Sequence, residues 1–158
     1  MALAGVSTIG VTLSYGIESG EAGKKPTEFK GLTRINNIGG IALSIETIDA
    51  SALEDYVERT IAGRASTGGE WSVTVNITDD TIKEWSDLIS ASDTAKKSGF
   101  STWFQVTSPY LAKSFYVVAE PPKNIPMSEM GQNELQTVEM TLAINEYKGM
   151  DDKVEVTP

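Results

Sequence analysis

The sequence of 158 residues contains neither cysteine nor histidine. Without cysteine the chain has no disulfide framework, no thiolate nucleophile and no zinc–thiolate site. Without histidine it has no imidazole metal ligand, no Ser-His-Asp or Cys-His pair and no side chain that ordinarily titrates near pH 7. Because the commonest catalytic solutions are missing, we expect a protein that is not an enzyme and that uses neither a metal nor a cofactor.

Basic residues are scarce relative to acidic ones. The 13 Lys and Arg residues against 22 Asp and Glu residues give a net charge of −9. Affinity for nucleic acid comes largely from Lys and Arg that displace counterions from phosphate, so the free chain should repel DNA. No apolar run approaches the ~18 residues that span a bilayer, and "MALAGVSTIG" lacks the features of a secretory signal. We expect no membrane partner.

Alternation of apolar and polar residues predicts a mainly β domain. The clearest strand covers residues 70–78, and a long strand covers 134–147. The runs "FSTWFQV" and "KSFYVVAE" add two strands, and the pair Gly39-Gly40 predicts a tight hairpin between "LTRINNI" and the half-buried strand "GIALSIETI". Roughly six or seven antiparallel strands predict two packed antiparallel sheets, a β-sandwich or barrel, with one flanking helix.

The flanking helix is predicted over residues 79–98. Asp79, Asp80 or Thr81 suits its N-cap, and Gly99 suits its C-terminal stop. The helix should pack on the sheet through an apolar stripe. That stripe consists of Ile82, Trp85, Leu88 and Ile89.

Three further segments of the single domain 1–158 lack a regular pattern. We predict an N-terminal arm and mobile loop over residues 1–30, a long loop over 48–69 and a flexible C-terminal tail over 148–158. Loops longer than about 15 residues are uncommon in compact domains and are usually functional or disordered. The segment 48–69 therefore requires an explanation.

The sequence offers little other chemistry. Adjacent carboxylates at residues 54–55, 79–80 and 151–152 are typical of solvated helix starts and tails and do not indicate a glycosidase. The glycine-rich run "AGRASTGGE" lacks the Lys-Ser/Thr of a phosphate-binding loop. A monomeric carbohydrate-binding β-sandwich stays open as an alternative, because aromatic side chains and acids can face a glycan. The candidate platform is formed by Trp71, Trp85 and Trp103.

The polar faces of three predicted strands share one property. The strands at 41–47, 70–78 and 135–145 carry Ser, Thr, Asn and Glu on these faces but neither Lys nor Arg. Such a face is either an ordinary solvated surface, where Thr is a good strand former, or a surface that must not hold an anion. The sequence alone favours the two interpretations equally.

The stretch "IDASALEDYVERTIAGRASTGGEWSVTVN" resembles the signature of siphophage major tail tube proteins. In that family a strand leads into an "IDxSxLxD" turn, a short apolar segment with Gly and then a "TxN"-type strand. The flanking segments "GVSTIGVTLSYGIE", "KPTEFKGLTRINNIGGI" and "DDTIKEWSDLIS" agree, so the resemblance covers about residues 4–147. The matching residues are Ile48, Asp49, Ser51, Leu53, Asp55, Ile61, Gly63, Gly68, Thr74 and Asn76.

The resemblance implies a homohexameric ring. Two packed sheets and a helix would form each subunit, and the inner sheets of six subunits would join into a β-barrel around a channel, as in the related contractile and secretion-system tubes. Stacked rings would form the tail tube of the virion after assembly in the bacterial host cytoplasm, and DNA would pass through without specific binding during ejection. The resemblance further implies a tape measure protein, a tail tip or baseplate initiator and a tail terminator as partners.

The resemblance and the cation-free strand faces together predict which side chains line the channel. The predicted lumen-facing residues are Ser44, Glu46, Glu70, Ser72, Thr74, Asn76, Glu139 and Thr141. The loop 48–69 is predicted to mediate contacts between subunits or rings, since its apolar residues would be exposed on a monomer. The residues of this assembly loop are Asp49, Ser51, Leu53, Asp55, Tyr56, Val57, Ile61, Gly63 and Gly68.

Overall fold

A computed structural model describes the backbone of residues 4–157, and the structure is mainly β. Within that range it contains ten strands and one helix. In chain order the elements are β1 (Thr12–Ile17), β2 (Phe29–Leu32), β3 (Ile35–Ile38), β4 (Ser44–Asp49), β5 (Thr60–Ser66), β6 (Glu70–Asn76), α1 (Asp79–Lys97), β7 (Thr102–Thr107), β8 (Lys113–Glu120), β9 (Thr137–Asp152) and β10 (Val156–Thr157).

The strands form two sheets. The larger sheet has the order β10-β2-β1-β7-β8-β9-β6-β3, and β4 and β5 form a separate two-stranded sheet. Neighbours are antiparallel except for β10 and β2. The first half of β9 pairs with β6 and its second half pairs with β8, so the large sheet folds over on itself. The predicted mainly β fold with two antiparallel sheets and one helix is confirmed, and the described strands do not close into a barrel, since β10 and β3 are sheet edges.

The main core lies between the two halves of the folded sheet. Trp71 of β6 meets Phe104 of β7 edge to face, with ring centroids 5.8 Å apart. Alternate residues of β6 point inward as predicted, because apolar side chains at every second position occupy one face of a strand. The buried members of this core are Leu13, Tyr15, Leu32, Trp71, Val73, Val75, Trp85, Leu88, Phe104, Val117, Ala119, Val138, Met140 and Leu142.

Helix α1 covers one side of this core. Trp85 and Leu88 are fully buried, whereas Ile82 of the predicted stripe is 38% exposed and so does not pack as expected. The N-cap is Thr78 rather than the predicted residues 79–81, and Thr78 and Thr81 form a reciprocal capping box. Gly99 takes φ +82° just beyond the C-cap, a conformation that glycine adopts without a Cβ penalty. Among residues 4–157 no helix has the length and apolarity to cross a membrane.

The predicted flexible tail 148–158 is wrong for most of its length. Strand β9 continues to Asp152, and β10 pairs with β2. Val154 and Val156 pack on a second buried cluster on the opposite face of the sheet. This second core consists of Phe29, Trp103, Tyr116 and Val118.

The predicted arm and loop over residues 1–30 also require correction. Met1, Ala2 and Leu3 lie outside the described residues, but Thr12–Ile17 forms β1 in the interior of the large sheet, between β2 and β7. The Glu18 carboxylate is buried and accepts hydrogen bonds from the backbone N–H groups of Gly23 and Ser101. The segment is therefore tied to the fold by strand pairing and by one buried acid.

The hairpin predicted at Gly39-Gly40 does not form. Strand β3 pairs with β6 instead, and β4 pairs with β5. Gly39 approaches β6 so closely that an added Cβ would lie 2.7 Å from the carbonyl oxygen of Ser72. All six residues of β4 are exposed, which contradicts the predicted half-buried strand, and the loop predicted over 48–69 is largely the β4–β5 hairpin.

Candidate assembly and channel surfaces

The outer side of β6 and the first half of β9 form one continuous polar surface, which we call the β6/β9 polar face. Strand register places Ser72 opposite Thr141 and Thr74 opposite Glu139. Because side chains alternate across a strand, these residues point away from the main core. The face consists of Glu70, Ser72, Thr74, Asn76, Thr137, Glu139 and Thr141. Six of the eight predicted lumen residues therefore share one surface, while their orientation toward a channel stays a prediction.

The β6/β9 polar face carries charge of one sign only. Glu70 and Glu139 are exposed carboxylates, and the seven positions include neither Lys nor Arg. Strand β3 extends the polar surface, since the Asn36 side-chain amide donates to the Asn76 Oδ1 at 3.0 Å and Asn37 pairs with Thr74. The charged groups of the surface are carboxylates, which repel phosphate, and it has no Lys or Arg to hold an anion.

The other two predicted lumen residues, Ser44 and Glu46, lie elsewhere. They belong to the β4–β5 hairpin and are not part of the β6/β9 polar face. Between the pairs Ile45–Ala65 and Thr47–Ala62, β4 has one residue and β5 has two, which indicates a β-bulge in β5. One of these two β5 residues is Arg64, so the absence of cations does not extend to the hairpin.

The β4–β5 hairpin exposes apolar side chains on both faces. Ile48, which pairs with Ile61, lies on the same face of β4 as Glu46, and alternation along β4 places Ile45 on the other face. Their exposed fractions are 62% for Ile45, 52% for Ile48 and 56% for Ile61. A two-stranded hairpin alone is marginally stable in water. This hairpin lacks cover on either side from the described part of its own chain.

The "IDASALED" stretch folds into a tip that its polar residues hold closed. The Asp49 carboxylate accepts from the Ser51 backbone N–H at 2.9 Å, and the Ser51 Oγ accepts from the Arg59 N–H at 2.8 Å across the tip. Asp55 accepts from the Ala52 N–H at 2.8 Å and pairs with Arg59 Nε at 3.1 Å. The hydrogen bonds from the Ser51 backbone and side chain lower the pKa of Asp49 below its usual value. The two acids of the motif, Asp49 and Asp55, therefore stabilise the conformation of the tip.

The apolar residues of the tip project away from the fold. The side chains of Leu53 and Tyr56 are 110% and 105% exposed relative to an extended reference, and Val57 is 77% exposed. Sequence analysis missed Arg59, which closes the tip, although the Asp-x-Ser spacing of residues 49–51 is a signal of an Asx-turn. We call Leu53, Tyr56 and Val57 the apolar tip.

The two glycines of the predicted assembly loop have separate structural roles. A Cβ at Gly63 would lie 3.1 Å from the Glu46 carbonyl oxygen, so the bulge needs a small residue there. Gly68 and Gly69 take φ +84° and +81° between β5 and β6, where a side chain would be strained. Both glycines therefore serve the geometry of the hairpin and its connection.

The tryptophans do not form a sugar platform. Trp71, Trp85 and Trp103 are all buried, the first two in the main core and the third in the second core. A glycan-binding surface needs the aromatic ring at the protein surface. The proposed arrangement of the carbohydrate-binding alternative is therefore wrong.

Comparison with known proteins shows a likeness to a solved structure. Neither a protein-family model nor a curated protein matches the chain. Among solved structures it is similar to a chain in the cryo-EM structure of the anti-feeding prophage baseplate, which was six-fold symmetrised. The match covers 96% of each chain with a TM-score of 0.51 and 13% sequence identity. The two chains share a fold. At this identity the likeness shows a shared fold only, so function has to be argued from the surfaces of this chain.

Proposed function

We propose that this protein is a structural, non-enzymatic subunit of a phage tail or tail-like particle that polymerises as stacked hexameric rings into the tail tube. The observation that carries the proposal is the β4–β5 hairpin with its apolar tip. Large exposed apolar patches on soluble proteins mark interaction sites. The residues at issue are Leu43, Ile45, Ile48, Leu53, Tyr56, Val57 and Ile61.

The shared fold supports this assignment at the level of the particle. The similar chain belongs to a baseplate whose structure was treated with six-fold symmetry. A ring of six copies requires a head-to-tail contact between two different surfaces of the subunit, and a head-to-tail contact along the axis lets rings stack without limit. A projecting hairpin suits either contact, because it reaches beyond the body of its own subunit.

The β6/β9 polar face supports a channel role. In a six-membered ring, Glu70 and Glu139 would each recur six times at one height, forming two negative belts. The Debye length is about 8–10 Å at physiological ionic strength, so such belts reach well into a narrow channel. DNA would be repelled from the wall and would slide through without adhering. The proposed location is the virion tail, with tape measure, initiator and terminator proteins as further partners.

Electron microscopy of the purified protein tests the proposal. We expect rings or tubes with six-fold symmetry in negative stain when the protein is concentrated. Assembly should need nucleation, because the first subunits gain few contacts against the entropy cost of association before a ring is complete. Uniform small particles at every concentration, with or without an added tail initiator, would contradict the proposal.

A further inference from the structure

An apolar cleft opens between the two halves of the folded sheet. Its volume is about 310 Å³, at the lower end of the range of ligand pockets. Within the described residues its lining is mostly apolar. The side chains that matter here are Ile38, Ile41, Trp71, Val106, Phe115 and Val117. Such a cleft on a subunit surface is a ready site for an apolar knob.

The cleft is continuous with the hairpin. Ile41 lines the cleft, and Leu43 and Ile45 follow at alternate positions as the chain enters β4. Gly39 and Gly40 form the lip between them, and the Trp71 indole donates to the Gly39 carbonyl oxygen at 2.7 Å. A partner that covers this part of the hairpin can therefore also contact the cleft.

The knob that fits this cleft is also present on the chain. The described part of its own subunit does not cover the apolar tip, as the near-complete exposure of Leu53 and Tyr56 shows. Its backbone is already closed by Asp49, Ser51 and Asp55, so little ordering remains for binding. One subunit therefore carries a pre-organised apolar projection and, at a different place, an apolar recess.

We propose that the apolar tip of one copy inserts into the cleft of a neighbouring copy, an inference that rests on the proposed assembly and identifies its partner surface. Fully burying one large apolar side chain removes roughly 60–120 Å² of surface from water. The three exposed residues of the apolar tip thus supply roughly 180–360 Å², and the exposed flanks of the hairpin supply further area toward the ~800 Å² per partner of a stable interface. The contact joins two different surfaces, so it propagates head to tail.

Cross-linking between two variants tests the contact directly, because the chain has no cysteine of its own. One protein carries Tyr56→Cys and the other Gly40→Cys, and the two are mixed, assembled and oxidised. A Cβ at Gly40 meets open space, so the new side chain is accommodated. We expect a disulfide-linked heterodimer, since a disulfide needs Cα atoms about 4.4–6.8 Å apart. Leu53→Cys replaces Tyr56→Cys in a parallel arm.

The controls separate this inference from the proposed assembly. Ser86→Cys on the exposed side of α1 should not cross-link to Tyr56→Cys. Tubes that form normally but yield no heterodimer from either tip variant would overturn the cleft as the docking site and leave the tube intact. Absence of tubes from the unmodified protein would instead contradict the proposed function.

Filling the cleft provides an independent test. Gly40→Leu places an apolar side chain at the cleft mouth without backbone strain, because Gly40 lies outside the left-handed region. We expect the critical concentration for assembly to rise at least tenfold while the thermal transition is unchanged. Ser86→Leu is the matched control and should assemble normally. Normal assembly of a folded Gly40→Leu protein would overturn the inference.

Discussion

The side chain of Gln105 pairs with the backbone of Val154 as another strand would. Its Nε2 donates to the Val154 carbonyl oxygen at 3.1 Å, and its Oε1 accepts from the Val154 N–H at 3.0 Å. Gln105 is fully buried, and the Tyr116 hydroxyl donates to the same Oε1. A single amide in β7 therefore fixes the C-terminal segment over the second core.

Gln105→Met should destabilise the protein by about 1–3 kcal/mol. The substitution keeps the length of the side chain but leaves the partly buried N–H and carbonyl groups of Val154 without their partner, and unsatisfied groups of this kind carry that cost. Urea unfolding measures the change, and hydrogen exchange at Val154 should accelerate. Gln132→Met, at an exposed position, should change neither. Equal stability of the two variants would show that the segment is held by other contacts.

The sequence predicts those elements whose own residues show a regular pattern. Strand β6 alternates strictly, so its inward and outward residues could be assigned although its partner β9 is distant in the chain. Strand β1 could not be found among the surrounding glycines, because both of its faces are buried and its residues do not alternate. The C-terminal segment is held in part by Gln105, a distant residue that no local pattern indicates.

For the candidate surfaces, too, the sequence predicts the location of some residues and not of others. The polar residues of β6 and β9 could be grouped because antiparallel neighbours in register share their faces. The prediction that Ser44 and Glu46 share this surface was wrong. Alternation in β4 indicates a strand but does not indicate which surface packs against that strand. Here the described chain supplies no cover, and the pairing of the partner strand β5, which carries Arg64, is irregular opposite Glu46. Periodicity cannot reveal a bulge or an absent partner.

Trp85→Ala should act by unfolding the subunit. Trp85 of α1 is fully buried in the main core, and removal of a buried aromatic side chain costs about 3–5 kcal/mol of stability. Thermal and urea unfolding give the loss, and Trp85→Phe should lose less because it retains most of the apolar volume. A stable Trp85→Ala subunit that merely fails to assemble would assign this helix face to an interface instead.

The order of the hairpin tip should depend on the charge of Asp49. Hydrogen bonds from Ser51 lower the pKa of this carboxyl below 3.8, so its contribution is complete above that value and is lost as the pH falls through the lower folded-state pKa. The Ser51 amide resonance in NMR should therefore shift with a midpoint below pH 3.8. Asp49→Asn keeps an acceptor and should abolish this titration. A midpoint at or above the ordinary value would contradict the tip geometry.

Replacing Leu53 and Ile61 with Asp should prevent tube formation without unfolding the subunit. Both side chains are exposed, so the charges cost little in the free protein, whereas a buried interface cannot accept them unpaired. Circular dichroism and thermal unfolding should match the parent, and electron microscopy should show particles of single-subunit size. The paired control is Ser86→Asp with Thr94→Asp on α1. Normal tubes formed by the hairpin variant would show that the hairpin does not take part in assembly.

Reversing the charge of the β6/β9 polar face should impair DNA passage but not assembly. Glu70→Lys with Glu139→Lys changes two exposed residues on the side away from the main core, so folding and tube formation should persist. Each ring would then present twelve new cations instead of twelve carboxylates, if six copies form a ring. Because cations hold phosphate through counterion release, ejection should slow or stall at low salt and recover as salt rises.

Particles assembled with this charge-reversed subunit give the measurement, since released DNA can be followed over time at several salt concentrations. Glu70→Gln with Glu139→Gln is the matched control: it removes the negative belts without adding cations, so it should slow ejection much less. Lysine substitutions at Asp87 and Asp93 on the exposed side of α1 add the same charge away from the polar face, so tubes that carry them should eject normally. Unchanged ejection by tubes carrying Lys at positions 70 and 139 would show that the β6/β9 polar face does not line the channel.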